Sequence, residues 1–178
     1  GTANTVSVEA TAGTINEVTN DDSGTITADI TGSSVSLTAF TGIGTDSALD
    51  LNVSTVTLAT SPTGGIRLNL LGAAANGLSA NHAVTVTLAT ATTLGDITFT
   101  STSGSGTKTY TTVSAANGTI DISATTGDIT AQNISTAATA GKTITISVSQ
   151  TDRVLTHSAG VIQTNGALIT LSADNMTL

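Results

Sequence analysis

The feature that most constrains this chain is a strict two-residue alternation that recurs along its whole length. Apolar or β-branched residues alternate with Thr, Ser or Asp in Val6-Ser-Val8, Val35-Ser-Leu37, Leu49-Asp-Leu51, Val56-Thr-Leu58, Ile66-Arg-Leu68-Asn-Leu70 and Val84-Thr-Val86-Thr-Leu88. The same pattern returns in Ile97-Thr-Phe99, Ile120-Asp-Ile122, Ile144-Thr-Ile146-Ser-Val148 and Ile169-Thr-Leu171. Alternation of this kind puts one set of side chains on each face of a half-buried strand. Between the strands stand Thr41-Gly42-Ile43-Gly44, Pro62-Thr-Gly64-Gly65, Ser103-Gly104-Ser105-Gly106, Asn117-Gly118 and Asn165-Gly166. Such groups admit the φ > 0 geometries of tight corners. No segment carries a 3.6-residue period, and the Ala-rich run from Gly72 to Ala80 is broken by Asn76 and Gly77, so a loop is expected there.

The strands repeat. Ile97, Ile120, Ile144 and Ile169 follow one another at intervals of 23, 24 and 25 residues, while Ile26, Val56 and Val86 are 30 apart and each is flanked by Thr on both sides. A unit of this length without a helix is one turn of a β-solenoid, whose apolar face stays exposed until the next turn stacks on it. The expected fold is therefore all-β, a right-handed parallel β-helix of about seven to eight turns. The 178 residues form one module, a rod on the order of 35 Å long at the usual strand spacing. Inward ladders are expected through Ile97, Ile120, Ile144 and Ile169, and through Phe99, Ile122, Ile146 and Leu171. An immunoglobulin-like sandwich, the competing all-β architecture, expects regular antiparallel strands around a buried aromatic, and Trp is absent here. Disorder fits poorly with a single Pro and sustained alternation.

Composition narrows function by exclusion. With 4 basic and 12 acidic residues the net charge is −8, which opposes phosphate backbones and anionic membrane surfaces. Phe40, Phe99 and Tyr110 are the only aromatics, too few for base-stacking or sugar-stacking shelves. Cysteine is absent, so neither disulfides nor thiolate metal sites exist. No stretch approaches the ~20 apolar residues that span a bilayer as a helix. The first residues, Gly1-Thr2-Ala3-Asn4, show no signal-peptide pattern, which reads as a mature piece or part of a longer parent.

Several residues could carry chemistry, and each has a structural explanation. Carboxylates pair at Asp21/Asp22, Asp46/Asp50 and Asp121/Asp128, and Asn20, Asp21, Asp22 and Ser23 could hold calcium weakly. Asp96 and Asp128 each follow Gly in Gly-Asp-Ile-Thr, where a corner Asp satisfies nearby backbone N–H groups. His157 with Asp152 is the one imaginable base and acid for a serine nucleophile, and Ser103 and Ser105 lie in a flexible glycine loop rather than a nucleophile elbow. His82 and His157 have no second ligand at metal spacing. Arg67, Lys108, Lys142 and Arg153 are scattered, unlike the clustered Asp, Lys and Arg of pectate-lyase-like clefts. The Asn-x-Ser/Thr sites at Asn52, Asn117, Asn133 and Asn175 occur as often as chance gives. Thr-x-Thr pairs resemble the flat ranks with which some solenoids order ice, but the ranks read from the sequence skip at Asp121 and resume at Thr143/Thr145. The expectation is no enzyme, no cofactor and no catalytic or metal-ligating residue.

Gly24-Thr-Ile-Thr-Ala-Asp-Ile30, Ser34-Val-Ser-Leu-Thr-Ala39, Thr41-Gly-Ile-Gly-Thr45, Ala48-Leu-Asp50, Ser54-Thr-Val-Thr-Leu58 and the two Gly-Asp-Ile-Thr words resemble the repeats of filamentous-haemagglutinin-like and autotransporter-like bacterial surface proteins. The likeness runs over nearly all of the chain, although the Asn-Pro motif of the haemagglutinin-type secretion domain is missing. It implies secretion and a place in a cell-surface adhesin or extracellular filament. The partners so implied are neighbouring repeats or subunits stacked end to end, and host or cell-surface glycans or proteins. Alternatives are a Thr-faced ice-binding solenoid and a carbohydrate-active β-helix enzyme. Neither end carries a polar or helical cap, so end-to-end continuation is expected.

Overall fold

A computed structural model of the chain describes residues 4–18, 25–74, 77–137 and 141–178. Among these residues no helix forms and seventeen strands belong to one sheet system. The first nine are β1 (Thr5–Ala10), β2 (Thr14–Ile15), β3 (Ile30–Ala39), β4 (Gly42–Ile43), β5 (Leu49–Ser61), β6 (Ile66–Leu70), β7 (Val84–Val86), β8 (Ala89–Ala91) and β9 (Ile97–Ser101). The rest are β10 (Lys108–Ala115), β11 (Ile120–Ala124), β12 (Ile129–Thr136), β13 (Ile144–Val148), β14 (Val154–His157), β15 (Ile162–Gln163), β16 (Ile169–Ser172) and β17 (Asn175–Thr177).

Strands of successive coils pair in parallel along two ladders, which the long β5 bridges by also pairing Leu49, Asp50 and Leu51 with Leu68, Asn69 and Leu70 of β6. The first runs β1, β3, β5, then β7 with β8, β10, β12, then β14 with β15, and β17. The second runs β2, β4, β6, β9, β11, β13 and β16. The fold is thus a parallel β-solenoid, and the sandwich alternative is excluded because each of these pairings is parallel.

The expected ladders form and extend further than their spacing suggested. Ile15, Ile43, Ile66, Ile97, Ile120, Ile144 and Ile169 stack in register, one per coil. Beside them stack Leu68, Phe99, Ile122, Ile146 and Leu171. The first ladder contributes Val6, Val35, Val56, Val86, Tyr110 and Ala131. Most of these side chains are fully buried in one continuous core, and burial of Ile, Leu, Val and Phe at about 1.5–3 kcal/mol each is what holds coil on coil.

The expected solenoid forms, with a slight difference in length and one correction to its period. Seven isoleucine rungs are separated by six full turns, slightly fewer than the expected seven to eight. The second ladder steps 28 residues from Ile15 to Ile43 and 31 from Ile66 to Ile97, so a uniform period near 24 overcounts where corners carry long loops. The 30-residue series is also only partly real. Val56 and Val86 are partners, but the preceding coil presents Val35 to Val56, and Ile26 lies outside any strand.

Corners explain the glycines in two ways. Gly42, Gly44, Gly104 and Gly166 have φ between +63° and +137°, as their turn words imply. Gly64 and Gly118 do not adopt positive φ; there the need is contact. A Cβ on Gly64 would lie 1.8 Å from the Thr41 carbonyl oxygen, and one on Gly118 would lie 1.9 Å from that of Gly95. Successive coils touch backbone to backbone at this corner. The Ala-rich run is a loop where described, with Asn76 outside the described residues.

Candidate functional site

Three features of the surface stand out once the coils are stacked. The first is a carboxylate cluster. Asp50 lies on β5, where Leu49 and Leu51 face the core, so Asp50 points outward, yet it is fully buried. Asn69 of the next coil donates from Nδ2 to its Oδ1 at 2.7 Å, and the Asp50 backbone N–H donates to Asp29 Oδ2 at 2.8 Å. Ser47 Oγ donates to Glu17 Oε1. Glu17, Asp29 and Asp50 each bring a carboxylate oxygen to within 4.8 Å of the others, an oxygen set that can bracket a hard cation.

Beside the cluster, Arg67 and Thr98 separate two cavities on the outer face of the second ladder. One, of about 240 Å³, is lined by Arg67, Asn69, Thr98, Thr100 and Thr102 over an apolar floor of Ile26 and Leu68. The other, of about 310 Å³, is lined by Thr45, Arg67, Asp96 and Thr98. The sequence could not show the cluster, because its members are separated by 12 and 21 positions and meet only through stacking. Of the expected pair Asp46/Asp50, Asp46 instead accepts from Asn16 Nδ2 at 2.8 Å. Asn20, Asp21, Asp22 and Ser23 lie outside the described residues.

Corner carboxylates behave as structural ties, but across coils rather than within their own loop. Asp96 Oδ1 accepts from Thr119 N at 2.7 Å, and Asp128 Oδ1 accepts from Val154 N at 2.9 Å. Asp174 Oδ2 accepts from Asp152 N at 3.0 Å. Asp121, half of the other expected pair, stands exposed on β11, and partial desolvation raises its carboxyl pKa. No hydrogen bond joins His157 to Asp152 among the described residues; His157 Nδ1 lies 3.0 Å from the Ala131 carbonyl oxygen. His82 places Nδ1 near Ser79 O and Nε2 near Val53 O, tying the Ala-rich loop to β5.

Lys108, one of the four cations that the sequence shows to be scattered, belongs to the core. It is fully buried, inward between Val84 and Ile129, with Nζ donating to Gly106 O at 2.9 Å and Gly104 O at 3.3 Å. Burial lowers its pKa to about 8. Its alternation with Tyr110 was the available signal, since both positions share the inward face.

The second feature is a rank of hydroxyls on the outer face of the first ladder. Thr5, Ser34, Thr55, Thr85, Thr109, Thr130, Thr156 and Thr177 are partners in consecutive coils, one per rung. The skip expected at Asp121 is absent from this rank, because Asp121 belongs to the second ladder, between Thr98 and Thr145. The third feature is apolar exposure in the last coil, where Leu168 is 67% and Met176 45% exposed. A scan against protein-family models, a search of curated proteins and a search of solved structures each return no match.

Proposed function

We propose that this chain is a structural module of a bacterial cell-surface adhesin or extracellular filament, in which coil continues upon coil from one module to the next. The observation that carries this reading is the isoleucine ladder. It presents the same side chain at its first rung, Ile15, and at its last, Ile169, and the last coil leaves Ile169, Leu171 and Met176 incompletely covered. A further parallel coil of the same kind would bury them, whether it belongs to the same polypeptide or to a neighbouring subunit. Net charge of −8 spread along a rod is screened beyond about 8 Å at physiological salt and does not prevent contact. In the adhesin reading, glycans or proteins of a host or neighbouring cell are the partners of the outer faces.

Light scattering and sedimentation of the 178-residue chain across concentration test the continuation. Concentration-dependent elongated assemblies are expected, and Leu171→Lys should abolish them without unfolding the interior coils. A rod that stays monomeric at every concentration would overturn stacking between separate subunits.

A further inference from the structure

We infer that the outer face of the first ladder is a binding surface for an ordered water lattice, the surface of an ice crystal. This goes beyond the structural reading and does not depend on it. The rank from Thr5 to Thr177 is unbroken over eight consecutive rungs, and seven of its eight members are Thr. Its spacing is set by the backbone, because parallel strands lie about 4.8 Å apart, close to the oxygen repeat along one axis of hexagonal ice. The one register shift in the first ladder falls between Val35 and Ser36, beyond the rank position at Ser34, so the row is not displaced.

The hydroxyls themselves divide into two populations. At corners, and at Thr57 within β5, they are committed to a neighbouring coil. Thr57 Oγ1 donates to Val35 O, Thr63 Oγ1 to Phe40 O, Thr125 Oγ1 to Ser101 O and Thr126 Oγ1 to Gly104 O. In the rank, Thr5 and Ser34 bond one another at 2.9 Å. The side chains of Thr55, Thr85, Thr109, Thr130, Thr156 and Thr177 make no hydrogen bond among the described residues. Their donors and acceptors are left to solvent in a repeating array. Branching at Cβ restricts χ1, so the array is held in place before any water binds. Inward neighbours Val35, Val56, Val86, Tyr110 and Ala131 are fully buried and fix the strands beneath.

Charge separates this rank from its counterpart on the second ladder; on β1 the charged Glu9 stands two rows along from Thr5, outside the rank. The rank holds no charged side chain, whereas the matching row on the second ladder runs Arg67, Thr98, Asp121, Thr145 and Thr170. An ion orients water radially around itself and breaks a planar lattice; a neutral hydroxyl both donates and accepts, as lattice water does. A polysaccharide chain is less well served, because the rank carries no aromatic: Phe99 and Tyr110 are both buried, and the exposed Phe40 lies past the end of β3, away from the rank position at Ser34.

The test is ice growth in the presence of the full 178-residue chain. A gap between melting and freezing points with faceted crystals is expected, and loss of that gap in Thr85→Lys and Thr130→Lys. Thr145→Lys, on the charged row, should retain it. Thr130→Val removes a hydroxyl with little change of shape and should weaken the gap even if the Lys variants fold poorly. Unshaped growth with the native chain, a gap that survives all the rank substitutions, or equal loss in Thr145→Lys would overturn the inference.

Discussion

Lys108 shows how the fate of a side chain here depends on its parity along a strand. Thr107 and Thr109 lie on either side of it, and Lys108 shares the inward face with Tyr110. Its ammonium is satisfied by two carbonyl oxygens and not by a carboxylate. Desolvation lowers its pKa to about 8, below the ordinary value near 10.4 of the unfolded chain. Between those values the unfolded state binds the proton and the native state does not, so stability rises with pH across that window. Tyr110 acts in the opposite sense. Its buried hydroxyl has no partner among the described residues, and burial raises its pKa. Above about pH 10 the unfolded phenol ionises while the native one stays neutral, and stability falls. Melting temperature followed from pH 7 to 11 should therefore climb and then decline, and Lys108→Met should remove the climb alone. A flat native profile between pH 8 and 10 would show that the ammonium is not desolvated. At the glycine corner, Gly118→Ala places a Cβ against the Gly95 carbonyl and should cost about 1–3 kcal/mol in chemical denaturation. A neutral result would mean the coils there can move apart.

At the scale of the element, each strand is specified by its own alternation and stabilised only by the coils above and below. Ile144 is fully buried between Ile120 and Ile169. Ile144→Ala should lose about 2–5 kcal/mol, and an unchanged melting temperature would contradict its burial. Between elements, Asp128 joins its corner to β14 through the Val154 N–H. Asp128→Ala should cost about 1.5–3 kcal/mol, since the lost acceptor is charged. Unaltered stability in that variant would show the corner tie to be idle. The strands from Ile97 to Leu171 were legible because their loops are nearly equal in length, so residue spacing and coil spacing agree. The N-terminal coils were harder, since Ile26 imitates the Thr-x-Thr setting of Val56 and Val86 yet lies outside the sheet. The burial of Lys108 follows from its parity with Tyr110, which its charge obscures. Glu17, Asp29 and Asp50 left no local pattern, and the hydroxyl rank became visible only after each Thr-x-Thr pair was assigned to a ladder.

For the whole molecule, stacking makes stability a sum of coils and nearest-neighbour interfaces, so it should vary along the axis. Interior coils have a neighbour on each side, and Ile66, Ile97, Ile120 and Ile144 are at most 1% exposed. The last coil has one neighbour: β16 alternates half-buried and exposed positions, and all three residues of β17 are exposed. Val6 and Val8 in β1 are likewise only half-buried. Amide exchange should be slowest for backbone N–H groups in β6, β9, β11 and β13, whose openings require breaking two interfaces. It should quicken towards β16 and β17, where one interface suffices. If stacking between modules covers the last coil, protection of β16 and β17 should rise with protein concentration while that of β11 stays constant. Uniform protection from β1 to β17 in dilute solution would mean that the rod opens as a single cooperative unit, and the coil-by-coil description would fail.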